Sequence, residues 1–270
     1  MQYLKHQKHE AVEIFQFGYS PIGKPLMSVN CYYLDGLLID SAQSNCEKKV
    51  LETFREKPIE KIILTHWHED HSGNAAVLAK QHNVPILAHK ITQEKLRNGF
   101  KIHLYEKYLF GKTKTFDGQL LDNQQVIKTE NFELTPIFTP GHSADHTVFL
   151  EKNHGWLFSG DLWVGIKIKV FRRDEKFWQQ VDSFKKVLNY DFEVLFCGHN
   201  PRLKNGKELL QQKLQYFEDF GGKVLDFHKK GLTNKQIIKA LGRKDSLLMK
   251  TLFSFDVSLE FMVDAAIDVF

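Results

Sequence analysis

One short run constrains this chain more than any other feature. In THWHEDHSGN (residues 65–74), His66, His68, Glu69, Asp70 and His71 set five potential ligand groups within six positions. So many polar and ionisable groups make poor core material, because each needs a partner once it leaves water. The run follows KIILT, whose apolar character predicts a buried strand, and precedes a helix expected from about Ser72 to His82. The carboxyl end of a strand is where α/β folds present ligand groups. Two imidazoles one residue apart can chelate one ion, and the Asp and His that follow can turn toward a second.

Three later segments each end a predicted strand and supply one more ligand: TPGHS gives His142, FSGD gives Asp161 and FCGHN gives His199. Each ligand follows a glycine, which permits a tight turn. Imidazole and carboxylate without thiolate suit zinc, with iron or manganese also compatible. Three protein ligands and a water form the open geometry of a catalytic zinc, unlike a closed structural site.

Around these segments strands and helices alternate. EAVEIFQF and SVNCYYLDGLLIDSA predict strands, the second folded into a hairpin at LDGL. A helix is expected over 45–57, a strand at VPILAH, and helical structure from 90 to 116. QVIKT, FELTPIFTP and TVFLEKNHGWLFSGD read as strands, the last as a hairpin. A helix from about Asp174 to Asn189 leads into FEVLFCG. Such alternation belongs to layered α/β architectures. After Pro201 helical periodicity takes over, which puts a boundary near residue 203; in LTNKQIIKALG, Thr233 is positioned to cap a helix and Gly242 to end it.

Composition excludes several classes. With 270 residues and 42% hydrophobic content the chain can fill a sizeable core. A net charge of +4 is too weak to imply a nucleic-acid partner. No apolar run approaches the length of a membrane span, and MQYLKHQKHE lacks the apolar core of a secretory signal. Cys31, Cys46 and Cys197 are too scattered for a disulfide framework. The expectation is a cytoplasmic protein with reduced thiols, no membrane association and an undetermined oligomeric state.

The HxHxDH motif with downstream GH, GD and GH elements resembles the metallo-β-lactamase superfamily. The resemblance covers about three quarters of the chain. It implies an α/β four-layer αββα sandwich, here over residues 1–202; the helical segment at 203–270 reads as a small appendage, winged-helix-like by resemblance to the beta-lactamase-like protein 2 group, with a plain packing element as the alternative. It also implies the division of ligands: His66, His68 and His142 on one divalent metal, Asp70, His71 and His199 on another, and Asp161 bridging both. Catalytic roles fall to Asp70 and Asp161, with a metal-bridging hydroxide as nucleophile. Asp40 resembles the acidic residue that ends an early strand in the superfamily and orients an imidazole; a turn-forming Asp is the alternative.

Other residues are read more plainly. His146 is expected to be a hydrogen-bonded loop histidine, and Cys197 a buried inert thiol. His6 and His9 are expected in a solvated terminus, and His82, His89, His103, His154 and His228 as ordinary histidines. Trp67, Glu69 and Trp163 are placed at the pocket mouth. In IHLYEKYLF, Ile102, Leu104, Tyr105, Tyr108 and Leu109 recur at helical spacing and predict core packing, with a lid over the site as the alternative.

Function follows as a metal-dependent hydrolase, with a small ester, thioester or lactone as substrate. The resemblance extends to the glyoxalase II and beta-lactamase-like protein 2 groups, the second of which implies single-stranded RNA cleavage. The alternatives are therefore a phosphodiesterase or single-strand endoribonuclease, and a metal-retaining binding protein with little turnover. Acids interspersed among the tail's lysines favour a small-molecule substrate over nucleic acid.

Overall fold

The computed structural model describes residues 1–121, 125–168, 170–244, 247–253 and 255–268. Two sheets lie face to face. The first has seven strands in sequence order: β1 (Gln2–His9), β2 (Val12–Tyr19), β3 (Ser28–Leu34), β4 (Leu37–Ile39), β5 (Lys61–Ile63), β6 (Ile86–Ala88) and β7 (Gln119–Leu120). The second runs β13-β11-β10-β9-β8, built from β8 (Ile127–Lys128), β9 (Glu133–Phe138), β10 (Thr147–Glu151), β11 (Trp156–Gly160) and β13 (Val194–Cys197). β12 (Phe171–Arg172) pairs with β14 (Val257–Ser258) as a small ribbon.

Helices cover the outer faces. α1 (Glu47–Phe54), α2 (Glu69–Ser72), α3 (Ala75–His82), α4 (Lys90–Asn98) and α5 (Leu104–Leu109) fall between strands of the first sheet. α6 (Phe177–Leu188), α7 (Gly206–Lys229), α8 (Asn234–Ala240), α9 (Leu247–Leu252) and α10 (Leu259–Ile267) follow later. Crossover helices make β4, β5 and β6 parallel neighbours, and α6 does the same for β11 and β13.

Alternation within the strands sorts side chains into three apolar layers. Ile14, Tyr32, Leu34, Ile39 and Ile63 meet Leu134, Phe149, Phe158 and Phe196 between the sheets. Phe15, Phe17, Val29 and Ile62 face α1 and α3 through Val50, Phe54, Ala75 and Leu78. Val148, Leu150, Leu157 and Leu195 face α6, α7, α8 and α10 through Phe184, Phe217, Ile237 and Met262. The result is the αββα order expected, and the helices beyond residue 203 share their core with the second sheet.

The LDGL hairpin forms between β3 and β4, with Asp35 and Gly36 both at positive φ (49° and 80°), as a two-residue turn of matching twist requires. The N-terminus differs from expectation. His6 and His9 belong to β1, not to a solvated tail; His6 stacks on Phe15 with ring centroids 4.4 Å apart and lies 2.9 Å from Glu13. The polar, lysine-bearing composition of β1 suits an edge strand and disguised it in the sequence.

Candidate metal centre

The turns that carry the expected ligands all leave strands at one edge of the sandwich. His66, His68, Asp70 and His71 follow β5, His142 follows β9, Asp161 follows β11 and His199 follows β13. Three groups of side chains converge there: His66, His68 and His142; His66, His71 and Asp161; and Asp70, His71 and His199, with ligand atoms in each group within 4.8 Å of one another. His68 Nδ1 lies 2.9 Å from His66 Nε2 and 3.1 Å from His142 Nε2. Asp161 Oδ2 is 3.2 Å from His199 Nε2 and 3.6 Å from His142 Nε2, while its Oδ1 is 3.3 Å from His71 Nε2. Asp161 therefore faces both ends of the cluster. His199 Nε2 is also 3.3 Å from Asp70 Oδ2.

Most of these rings are anchored through the nitrogen that points away from the cluster. His71 Nδ1 is 2.7 Å from Asp40 Oδ2. Thr65 donates its hydroxyl to Asp40 at 2.8 Å and lies 3.0 Å from His66 Nδ1, so one carboxylate steadies two imidazoles. His199 Nδ1 donates to the Ser28 carbonyl at 2.8 Å. His142 Nδ1 lies 3.6 Å from Glu175 Oε2, and Glu175 is itself held by Gln180 at 2.7 Å and by the Arg172 N–H at 3.0 Å. Such outer partners fix the ring and its tautomer, leaving the inner lone pair free for an ion.

Two glycines make the approach possible. A Cβ on Gly198 would sit 2.5 Å from the His71 ring and 2.7 Å from Asp161 Oδ1. One on Gly160, at φ +46°, would meet His146 Nε2 at 2.7 Å. His146 is buried and accepts the Asp161 N–H at 3.1 Å, the loop role expected of it.

The cluster has the character of a metal site. His71 Nε2 and Asp161 Oδ1 are buried and make no hydrogen bond among the described residues. Imidazole and carboxylate atoms converge on one shared space, an arrangement that could hold a cation. Burial holds His66 and His68 well below the usual histidine range, reinforced in each case by neighbouring positive groups, which favours the neutral form that metal binding requires. Burial also opposes charge on His71 and His199, but Asp161 and its neighbouring carboxylates overcome it and hold both well above that range.

A family model described as the metallo-beta-lactamase superfamily matches residues 25–199. The chain belongs to the metallo-beta-lactamase superfamily. Within it, the chain is 28% identical over 201 residues to the beta-lactamase-like protein 2 homolog of Drosophila melanogaster, covering 67% of this chain and 62% of that one. It is 29% identical over 208 residues to an atrochrysone carboxyl ACP thioesterase of Aspergillus fumigatus, covering 73% and 58% respectively. The chain thus spans about six tenths of these two relatives' lengths. Among solved structures, a metallo-beta-lactamase family protein of Thermus thermophilus superposes with TM-score 0.64 at 18% identity, over 95% of this chain and 93% of that one. A flavo di-iron protein of Thermotoga maritima gives 0.60 at 17%, over 86% and 72%. Among the described residues, no helix is long and apolar enough to cross a membrane.

A cavity of about 250 Å³ opens onto the cluster. Asp70, His142, Asp161 and His199 line one end, and Met27, Phe110, Val164, Ile168, Phe253 and Val257 supply apolar walls. Glu69 borders it, its carboxyl pushed up to about 8 by burial and by Glu106. Trp67 and Trp163 are not at its mouth. Trp67 packs against Phe100 with Lys95 Nζ 3.8 Å over its ring, and Trp163 lies in the core beside α6 and α7. The IHLYEKYLF segment is not core either. Leu104 and Tyr108 are 84% and 62% exposed, the buried side chains are Glu106 and Phe110, and Tyr105 and Phe110 face the cavity. Glu106 is held by Arg172 at 3.1 Å, a cross-chain pairing that helical periodicity does not encode. Glu175, Arg172 and Lys213 are the charged cavity residues that sequence reasoning missed, because each depends on partners distant in the chain.

Proposed function

We propose that this chain is a dinuclear metal-dependent hydrolase of small acyl substrates, with a thioester favoured over an ester or lactone. Asp161 carries the reading: it faces a cluster of three imidazoles on one side and Asp70, His71 and His199 on the other, at the end of an apolar cavity. His66, His68 and His142 would hold one ion, Asp70, His71 and His199 the other, and Asp161 both. Zinc suits this donor set best, with iron or manganese compatible. Bound there, two divalent cations supply Lewis acidity and a nucleophile at neutral pH.

The chain's own residues do the rest. Asp40 and Thr65 keep the Nε2 atoms of His71 and His66 turned inward. Asp70 borders the cavity and orients the attacking water. The apolar walls take the acyl group and exclude bulk solvent, which strengthens every charge interaction at the reacting carbonyl. The appendage we place at 203–270 closes one side of that cavity through Lys213, Phe253 and Val257. The Aspergillus thioesterase supports an acyl substrate. A groove in the tail bordered by Lys235, Lys239, Arg243 and Lys244 favours, as a second reading, cleavage of a phosphodiester.

Turnover of the metal-loaded protein on short acyl thioesters, a lactone, bis-p-nitrophenyl phosphate and single-stranded RNA separates the readings. Hydrolysis concentrated on thioesters is expected; activity confined to the phosphodiesters would replace this proposal with the second.

A further inference from the structure

α7 is an amphipathic helix whose buried stripe runs Leu210, Lys213, Phe217, Phe220 and Val224. At the second position a Leu or Met would continue the stripe, yet a lysine stands there, 1% exposed. Its Nζ lies over the rings of Phe184 and Phe217, 5.1 and 5.7 Å from their centroids. Burying an ammonium is unfavourable unless its donors are used. Two of them are: Nζ donates to the carbonyls of Leu162 at 2.7 Å and Trp163 at 2.6 Å, the two residues directly after Asp161. Lys213 also borders the cavity.

We infer that Lys213 is a positioning residue for Asp161, through which α7 sets the affinity of the metal centre. The inference rests on the reading of Asp161 as a ligand to both ions. Asp161 is fixed from behind at its own N–H by His146, and from in front by the lysine's grip on the next two carbonyls. Without that grip the carboxylate keeps its chemistry but loses its place, and a bridge between two ions tolerates little displacement. A second tail cation offers a contrast in the same loop. Arg243 donates to the Ile168 carbonyl at 2.5 Å and to the Tyr216 hydroxyl at 2.6 Å, well past the ligand in sequence.

The test is chelator competition for zinc, read as affinity and stoichiometry, alongside thermal melting of metal-free and zinc-loaded protein. The proteins compared are wild type, Lys213→Met, Lys213→Gln, Arg243→Met and Asp161→Ala. Lys213→Met should weaken zinc binding by about tenfold to a hundredfold and shrink the zinc-dependent rise in Tm. Lys213→Gln, which keeps an N–H donor, should recover part of both, and it decides the matter if Lys213→Met does not fold. Arg243→Met should bind zinc as wild type does. Wild-type zinc affinity in both Lys213 variants overturns the inference. So does an equal loss in Arg243→Met, which would mark general loosening of the tail, and so does a fall in Tm that is the same with and without zinc. If Asp161→Ala itself keeps two zinc ions at wild-type affinity, the underlying reading of the site fails first.

Discussion

His71 and Asp40 form a buried pair, with Nδ1 2.7 Å from Oδ2 and both side chains shielded from water. Asp40 reaches this position from a left-handed backbone (φ +59°) just past β4, and its carboxylate also accepts the Thr65 N–H at 2.8 Å. One acid thus ties the end of β4 to the ligand loop after β5, and the orienting role expected of it is the geometry observed.

Replacing that acid tests the arrangement without disturbing the backbone, because Asn also tolerates the left-handed region. Asp40→Asn should fold, and should weaken metal binding by about tenfold to a hundredfold, since a neutral amide holds the Nδ1–H less strongly than a carboxylate does. Chelator competition measures it. Unchanged affinity would mean that the pair only braces the loop.

The metal-free protein should lose stability as pH rises above neutral. Despite burial, Asp161 and the adjacent carboxylates hold His71 and His199 above the usual histidine value of 6.5. A group raised on folding adds stability that is complete below its unfolded pKa and disappears as pH climbs through the folded one. Tm of the metal-free protein should therefore fall as pH rises above the ordinary histidine value, and the gain from added zinc should grow over the same interval. A metal-free Tm that rises with pH would contradict these charge assignments.

Much of the His and Asp cluster was legible because its residues are local in type and pattern. Each of His142, Asp161 and His199 closes a recognisable strand, and β5 announces the HxHxDH turn. The wall of the cavity was not legible. Glu106 and Phe110 sit inside while Leu104 and Tyr108 face water, because α5 packs through an ion pair with Arg172, about seventy residues away in sequence, and not through an apolar stripe. Lys213 was hidden for the opposite reason. A lysine in a helix reads as surface unless its acceptors, here the carbonyls after Asp161, are already in view.

Acyl selectivity should respond to the cavity wall. Ile168→Ala removes apolar contact from a partly exposed residue. KM for a medium-chain acyl thioester should rise by about tenfold, with kcat for the acetyl thioester and the metal content unchanged. Equal losses on both substrates would place the acyl group elsewhere.

The central claim is that four separate turns share two cations. Its most direct test is elemental analysis of protein stripped by chelator, reconstituted with zinc and dialysed. The account predicts a plateau at about two zinc per chain in wild type, the occupancy of a carboxylate-bridged pair, falling to one or none in Asp161→Ala. A wild-type plateau at or below one, or an Asp161→Ala variant that still holds two, would contradict it.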